Sequence, residues 1–284
     1  MRWGIIADIH GNLPALVRVL RGLRDSGAQR VICLGDIVGY NAEPNRCVRL
    51  IETLAVESIA GNHDLMAIGR LDFTRCSLRP TYALRRTRRT LTEAARAFLA
   101  RLPATRTYAG GLVLVHGSPD DVSEYMTDVR DIRRAAHTLR VRDPSARICL
   151  FGHTHDRKLW HVDGDRVHQN EADASHILDG RGLYFINPGS VDGSRRPMKQ
   201  AEFAVLDLDT RVIHFHRVPY DDGLVERAAR ARGYRMEPWR EATLRGVRWV
   251  RRLAVRTARV LRVQRGNEQR VQRGSQNVGQ SDHL

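Results

Sequence analysis

The chain of 284 residues has only two lysines, Lys158 and Lys199, although Lys and Arg together number 47. Its positive charge is therefore almost all arginine, which fits biased codon composition as well as selection for an acidic partner, so basicity by itself does not identify a nucleic-acid-binding protein. Cysteine is scarce too. The four residues Cys33, Cys47, Cys76 and Cys149 show no CxxC spacing, which argues against a thiolate zinc site. Cys33 and Cys149 lie inside apolar runs, where a free thiol acts as a small hydrophobe. No window approaches the roughly 18 uninterrupted apolar residues needed to span a bilayer. Met1-Arg2-Trp3 leads straight into an apolar run with no signal-peptide pattern, so a cytoplasmic location is expected.

What is present is a globular composition. With 42 % hydrophobic residues the chain can bury a large core, which excludes disorder for its bulk. The formal net charge of +15 is uneven: residues 223–284 hold 15 arginines against five acids, leaving only +5 for residues 1–222. Short apolar runs recur at Trp3 to Ala7, Val31 to Leu34, Ser58 to Ala60, Leu112 to Val115, Ile148 to Phe151, Leu183 to Ile186, Glu202 to Leu208 and Arg211 to Val218, and they read as strands. Helix-period stretches at Leu13 to Ser26 and Glu43 to Leu54 separate the early ones. That order predicts a parallel βαβαβ half, followed by strands that look antiparallel. Residues 82–102 and 129–140 read as arginine-rich amphipathic helices.

Polar residues follow the apolar runs in a repeated manner. Asp8-Ile9-His10-Gly11-Asn12 follows the first, Gly35-Asp36 the second, Gly61-Asn62-His63-Asp64 the third, His116-Gly117 the fourth and Gly152-His153-Thr154-His155 the fifth. The carboxyl ends of parallel strands are where sites form, so five segments can meet in one crevice. On extended chain, Asp8 and His10 point to one side, as do His153 and His155. Each piece alone reads as a turn or cap; all five in order do not. Carboxylate, imidazole and amide donors without thiolate suit Mn²⁺, Fe, Ni²⁺ or Zn²⁺.

The ordered set DxH, GD, GNHD, HG and GHTH, with the surrounding GDIVGYNAEP, VHGSP and NPGS, closely resembles the calcineurin-like metallophosphoesterase family, especially its small bacterial and archaeal phosphodiesterase branch. The resemblance spans roughly residues 1–222. It implies a four-layer α/β/β/α sandwich and a dinuclear centre of two divalent ions, Mn²⁺ first among them. Asp8, His10 and His155 would hold one ion, Asn62, His116 and His153 the other, and Asp36 would bridge them. His63 would be the general acid at the leaving oxygen, with Asn12 and Asn187 supporting the site. The implied reaction is phosphodiester hydrolysis by a metal-bridging hydroxide on a nucleotide-like phosphate ester. In the protein serine/threonine phosphatase branch a second Asp follows GD; here the stretch reads Gly35-Asp36-Ile37-Val38-Gly39-Tyr40, which leaves His63 without an assigned partner and speaks against that branch. The segment Val191 to Pro197 also departs from the usual wording. Competing readings are a phosphomonoesterase or protein phosphatase, a non-catalytic scaffold on the same fold, and a charge-driven nucleic-acid binder.

Beyond the domain over 1–222, residues 223–262 read as a basic helical extension and 263–284 as a disordered tail. On a helical wheel Arg245, Arg248, Arg252, Arg256, Arg259 and Arg262 fall within one arc of about 120°. Such a helix docks its apolar face on the domain or on a second copy in a homo-oligomer, or it meets an anionic membrane surface or another acidic partner.

Overall fold

The computed structural model describes residues 1–172, 175–193, 199–237 and 241–243. Its first half alternates strand and helix: β1 (Arg2–Ile6), α1 (Leu13–Asp25), β2 (Arg30–Cys33), α2 (Pro44–Thr53) and β3 (Glu57–Ser58). Three helices follow, α3 (Asn62–Ile68), α4 (Leu78–Thr90) and α5 (Glu93–Arg101), then β4 (Arg106–Tyr108), β5 (Leu112–Leu114), α6 (Val129–Arg142) and β6 (Ile148–Leu150). The remaining elements are β7 (Lys158–Asp163), β8 (Arg166–Asn170), β9 (Ser175–Ile177), β10 (Leu183–Asn187), β11 (Gln200–Asp207), β12 (Val212–Pro219) and α7 (Asp222–Ala231).

Local chemistry explains most of these boundaries. The Asn12 side chain accepts the Ala15 N–H (3.1 Å) and Pro14 sits in the first turn, so α1 starts there; its buried face is Ala15, Leu16, Val19 and Leu23. The arginine-rich stretch expected as one helix over 82–102 is two. Leu91 and Thr92 are extended, and the Thr92 hydroxyl accepts the Ala95 N–H (3.2 Å), capping a new helix. GNHD, read from the sequence only as a polar strand end, opens α3.

The strands form two six-stranded sheets, ordered β3-β2-β1-β11-β12-β9 and β4-β5-β6-β10-β7-β8. β1, β2 and β3 are parallel, as expected, and β11 and β12 are antiparallel. β10 is antiparallel to β7, as expected for the later strands, but parallel to β6 on its other side, because the intervening β7–β8 hairpin supplies a connection long enough to bring the chain back in the same direction. The inner faces meet through Ile5, Ile32, Leu34, Leu114, Leu150, Ile186, Ala204 and Leu206. α1 and α2 cover the first sheet's outer face with Leu16, Val19 and Ile51 against Phe203 and Val205, and α6 covers the second with Ile132, Ala136 and Leu139 near Cys149 and Phe185. This is the expected α/β/β/α sandwich. Its four cysteines are free thiols, three of them buried.

The chain divides into two compact units, Met1–Arg235 and Met236–Leu284. Residues 223–235 thus fall in the first unit, where Arg232 donates to the Ala42 carbonyl (3.1 Å) and Arg235 to the Tyr40 carbonyl (2.8 Å) and Asn41 Oδ1 (2.9 Å). The arginine-faced helix expected over 244–263 and the tail over 263–284 lie outside the described residues. Among the described residues no helix is long and apolar enough to cross a membrane.

Candidate metal centre

The five polar segments do meet, at the carboxyl ends of β1, β2, β3, β5 and β6. They are knitted by backbone bonds: Asp8 N–H to Gly35 O (3.1 Å), His10 N–H to Asp36 O (2.8 Å), Asn41 N–H to His10 O (2.8 Å) and Gly152 N–H to His116 O (2.9 Å). Extended chain is not what aims the side chains, however. Asp8, His10, Asp36, His153 and His155 all have φ between 52° and 65°, five of the seven non-glycine residues with positive φ among those described. Each costs about 1–2 kcal/mol relative to a right-handed or extended residue. The DxH and HxH pairs therefore converge through two successive left-handed kinks rather than through strand alternation.

Three overlapping groups have ligand atoms within 4.8 Å of one another: Asp8, His10 and His155; His10, Asp36 and His63; and Asp36, His116 and His153. His10 Nε2 lies 2.8 Å from His155 Nε2 and 3.7 Å from Asp36 Oδ2, and His155 Nε2 lies 3.6 Å from Asp8 Oδ1. On the other side His116 Nε2 is 3.4 Å from Asp36 Oδ2 and 3.0 Å from Asn62 Oδ1. His116 is oriented by the Leu34 carbonyl at its Nδ1 (2.7 Å) and His153 by the Ser123 carbonyl at its Nε2 (3.2 Å). All seven residues expected as ligands are thus brought together. Asn12 and Asn187 support the loops instead. Asn12 caps α1 and donates to Asp192 (2.8 Å), and Asn187 donates to the Gly152 carbonyl (2.8 Å) and Thr154 Oγ1 (3.0 Å).

The electrostatics favour cations. Burial and the neighbouring His155 push the His10 imidazole well below its ordinary pKa, and burial with His116 brings His153 down to about 3, so both rings are neutral and able to ligate. Burial alone would raise Asp36, but His116 and His63 hold its carboxyl well below the usual carboxylate range. Burial alone would lower His116, but Asp36 and Asp8 outweigh it and bring its imidazole up to about 9, while the buried Nδ1 atoms of His10 and His63 have no hydrogen-bond partner. This donor set fits divalent metal ions.

Several residues the sequence reading passed over shape the site. Asp64, at the third position of α3, accepts N–H bonds from Val38 and Gly61 (3.0 Å each) and so ties GNHD to the GDIVGY loop. Burial and the nearby Asp36 push its carboxyl up to about 7. The signal was available as an acid three residues into a helix after a glycine. In the GDIVGY loop Gly39 packs against the site: a Cβ there would meet His10 Nδ1 and lie 2.8 Å from His63 Nδ1. His63 Nδ1 thus faces the Gly39 backbone and has no hydrogen-bond partner. Buried Asp192 accepts from Asn12 and from Asn41 (2.7 Å), pairings too distant in sequence to be read there. Tyr40 packs on His10 (ring centroids 4.1 Å) and Tyr125 on His153 (4.0 Å). His137, His161, His168, His176, His214 and His216 lie on α6, β7, β8, β9 and β12, away from the centre.

Known proteins resemble this chain in sequence and fold. A metallophosphoesterase from Sphaerobacter thermophilus superposes with a TM-score of 0.67 at 31 % identity, over 82 % of this chain and 94 % of that one. A hypothetical protein from Pyrococcus horikoshii shares the fold, with a TM-score of 0.63 at 20 % identity over 81 % and 92 % of the two chains. An uncharacterized protein of Methanocaldococcus jannaschii is 30 % identical over 225 residues, 76 % of this chain and 87 % of its own length. The sequence model of the calcineurin-like phosphoesterase superfamily domain matches residues 1–211, and with the buried His/Asp cluster at its strand ends the chain belongs to that superfamily.

Proposed function

We propose that the protein is a phosphodiesterase working with two divalent ions, Mn²⁺ first among the candidates. The observation that carries this is the pair of buried groups, Asp8–His10–His155 and Asp36–His116–His153, adjoining where His10 Nε2 lies 3.7 Å from Asp36 Oδ2. Asp8, His10 and His155 would hold one ion, His116, His153 and Asn62 the other, and Asp36 both. When bound, two such ions neutralise phosphoryl oxygens and acidify a water molecule near neutral pH.

The chain's own residues supply the rest. His63 N–H donates to Asp36 Oδ1 (2.8 Å), which fixes the bridging carboxylate from the first turn of α3. The Nδ1 edge of His63 packs on Gly39, so Nε2 is the atom that hands a proton to the leaving oxygen. Tyr40, edge-on to His63 with centroids 4.9 Å apart, closes that flank against water.

The test is hydrolysis of bis-p-nitrophenyl phosphate and p-nitrophenyl phosphate by metal-stripped protein reloaded with Mn²⁺, Ni²⁺, Zn²⁺ or Mg²⁺, beside Asp36→Asn and His63→Ala. Metal-dependent diester cleavage that Asp36→Asn abolishes is expected. Folded, metal-binding protein with no turnover of either ester would refute the reading and favour a scaffold.

A further inference from the structure

The VHGSP segment and the turn that follows it bring two things together, His116 and then Tyr125 against His153. Between them the chain doubles back tightly. Ser118 N–H donates to the Asp121 carbonyl (2.9 Å), Ser118 Oγ accepts the Asp121 N–H (3.0 Å), and Glu124 N–H returns to Asp121 O (3.1 Å). A Cβ at Gly117 would meet the carbonyl oxygens of Asp121, Val122 and Glu124 at 2.6, 2.7 and 2.8 Å, so the turn closes directly over that glycine. Ion pairs anchor it outside: Asp121 with Arg75, and Glu124 with Arg134 of α6 (2.7 Å). The product is a held ring. Tyr125 lies against His153 at 27° between planes, yet 49 % of the residue is exposed.

Tyr40 packs on the other group differently. Its ring is wedged between His10 and His63 and lies largely inside the protein. The imidazoles of the two groups are thus each faced by a phenol, one packed in place and one half in solvent.

We infer that Tyr125 is the platform for a planar group of the substrate, an aryl or nucleobase substituent on the ester oxygen that is not cleaved; this rests on the phosphodiesterase reading above. A ring already fixed by its turn and by His153 loses little freedom when a second planar group covers it. Stacking of this kind accepts any base or aryl ring, since each has a π face. Tyr40 packs on His10 and His63, and Tyr125 on His153, so the departing group is assigned to His63 and the retained one to Tyr125.

Two esters with the same leaving group isolate the contact: bis-p-nitrophenyl phosphate, which retains an aryl group, and methyl p-nitrophenyl phosphate, which retains a methyl. Tyr125→Ala is expected to lower the ratio of their kcat/KM values at least about fivefold, chiefly through KM, as for one lost stacking contact. Tyr125→Phe should preserve the ratio. An unchanged ratio in Tyr125→Ala would overturn the inference, showing that the ring only props His153. If the wild type cleaves neither ester, the phosphodiesterase reading fails, and calorimetry on metal-loaded protein decides the platform separately. AMP binding tighter than inorganic phosphate, with the difference lost in Tyr125→Ala, supports it; equal affinities for the two overturn it.

Discussion

The first three strands carry polar residues at both ends, and the two ends are built on opposite principles. At their starts Arg2, Arg30 and Glu57 stand half-exposed, each beside an opposite charge. Arg2 pairs with Asp207 (3.1 Å), and Glu57 receives Arg30, Arg106 (3.3 Å) and the Tyr108 hydroxyl, with Arg30 also lying over the Trp3 ring (4.5 Å). At their far ends Asp8, Asp36 and Asn62 are buried among imidazoles, the two aspartates on left-handed backbone, with unpartnered nitrogens beside them. The first arrangement lowers the folded state's free energy a little. The second raises it, and only a bound cation reverses the sign. Polar clusters of similar composition can thus be told apart by whether their charges are satisfied within the chain.

Four measurements break or sharpen that contrast. Asp36→Asn should reduce metal-dependent turnover more than about 100-fold, beyond the range for losing a residue that only supports a ligand. The melting temperature of the metal-free protein should stay level or rise. A clear fall in apo stability would mean that Asp36 is a structural group like those at the other end. Removing metal from the wild type should lower Tm by several degrees, since ligand at about 100 times its Kd contributes about 2.7 kcal/mol. An unchanged Tm after chelation, with stoichiometric metal beforehand, would contradict the strained-site account. Gly39→Ala places a methyl against His10 and His63 and is expected to cost about 1–3 kcal/mol of stability together with metal affinity; if titration with Mn²⁺ shows wild-type affinity, the packing argument for that loop is wrong.

The smallest effect belongs to the start of the strands. Glu57 is opposed by burial, but Tyr108 and Arg30 outweigh it and hold its carboxyl below the ordinary value. A depressed carboxylate stabilises the fold above its unfolded pKa of about 4.3 and loses that contribution as pH falls through the folded value. Glu57→Gln should therefore lower Tm at pH 7 by about 2 °C, as for a partly screened pair, and the gap to wild type should close below about pH 4. Melting curves across pH 3 to 8 check this, and a gap that widens in acid would reverse the assignment.

The residues expected as ligands were legible because their segments follow apolar runs directly, so a local pattern of hydrophobic residues followed by Asp, His or Asn survives without knowledge of the fold. Supports that act across the chain were not. Asp192 reaches Asn12 and Asn41, and Arg235 reaches the Tyr40 loop, by contacts that no spacing announces. Architecture was read in part for the same reason. The parallel β1–β2–β3 unit has strong periodicity, whereas β7 and β8 mix Trp160, His161, Val162 and His168 without clean alternation and escaped notice. Helix α3 was hidden because its first turn is made of the site's own residues.

The left-handed torsions at Asp8, His10, Asp36, His153 and His155 also give the sequence a direction of drift. Glycine is more comfortable than any of these residues at such angles but offers no side-chain donor. A descendant released from selection on turnover would find substitutions that relax its backbone waiting at all five places. Replacing any of the five by glycine therefore relaxes the backbone and removes a donor in one step, so folding free energy and the site's donor set pull in opposite directions at these positions.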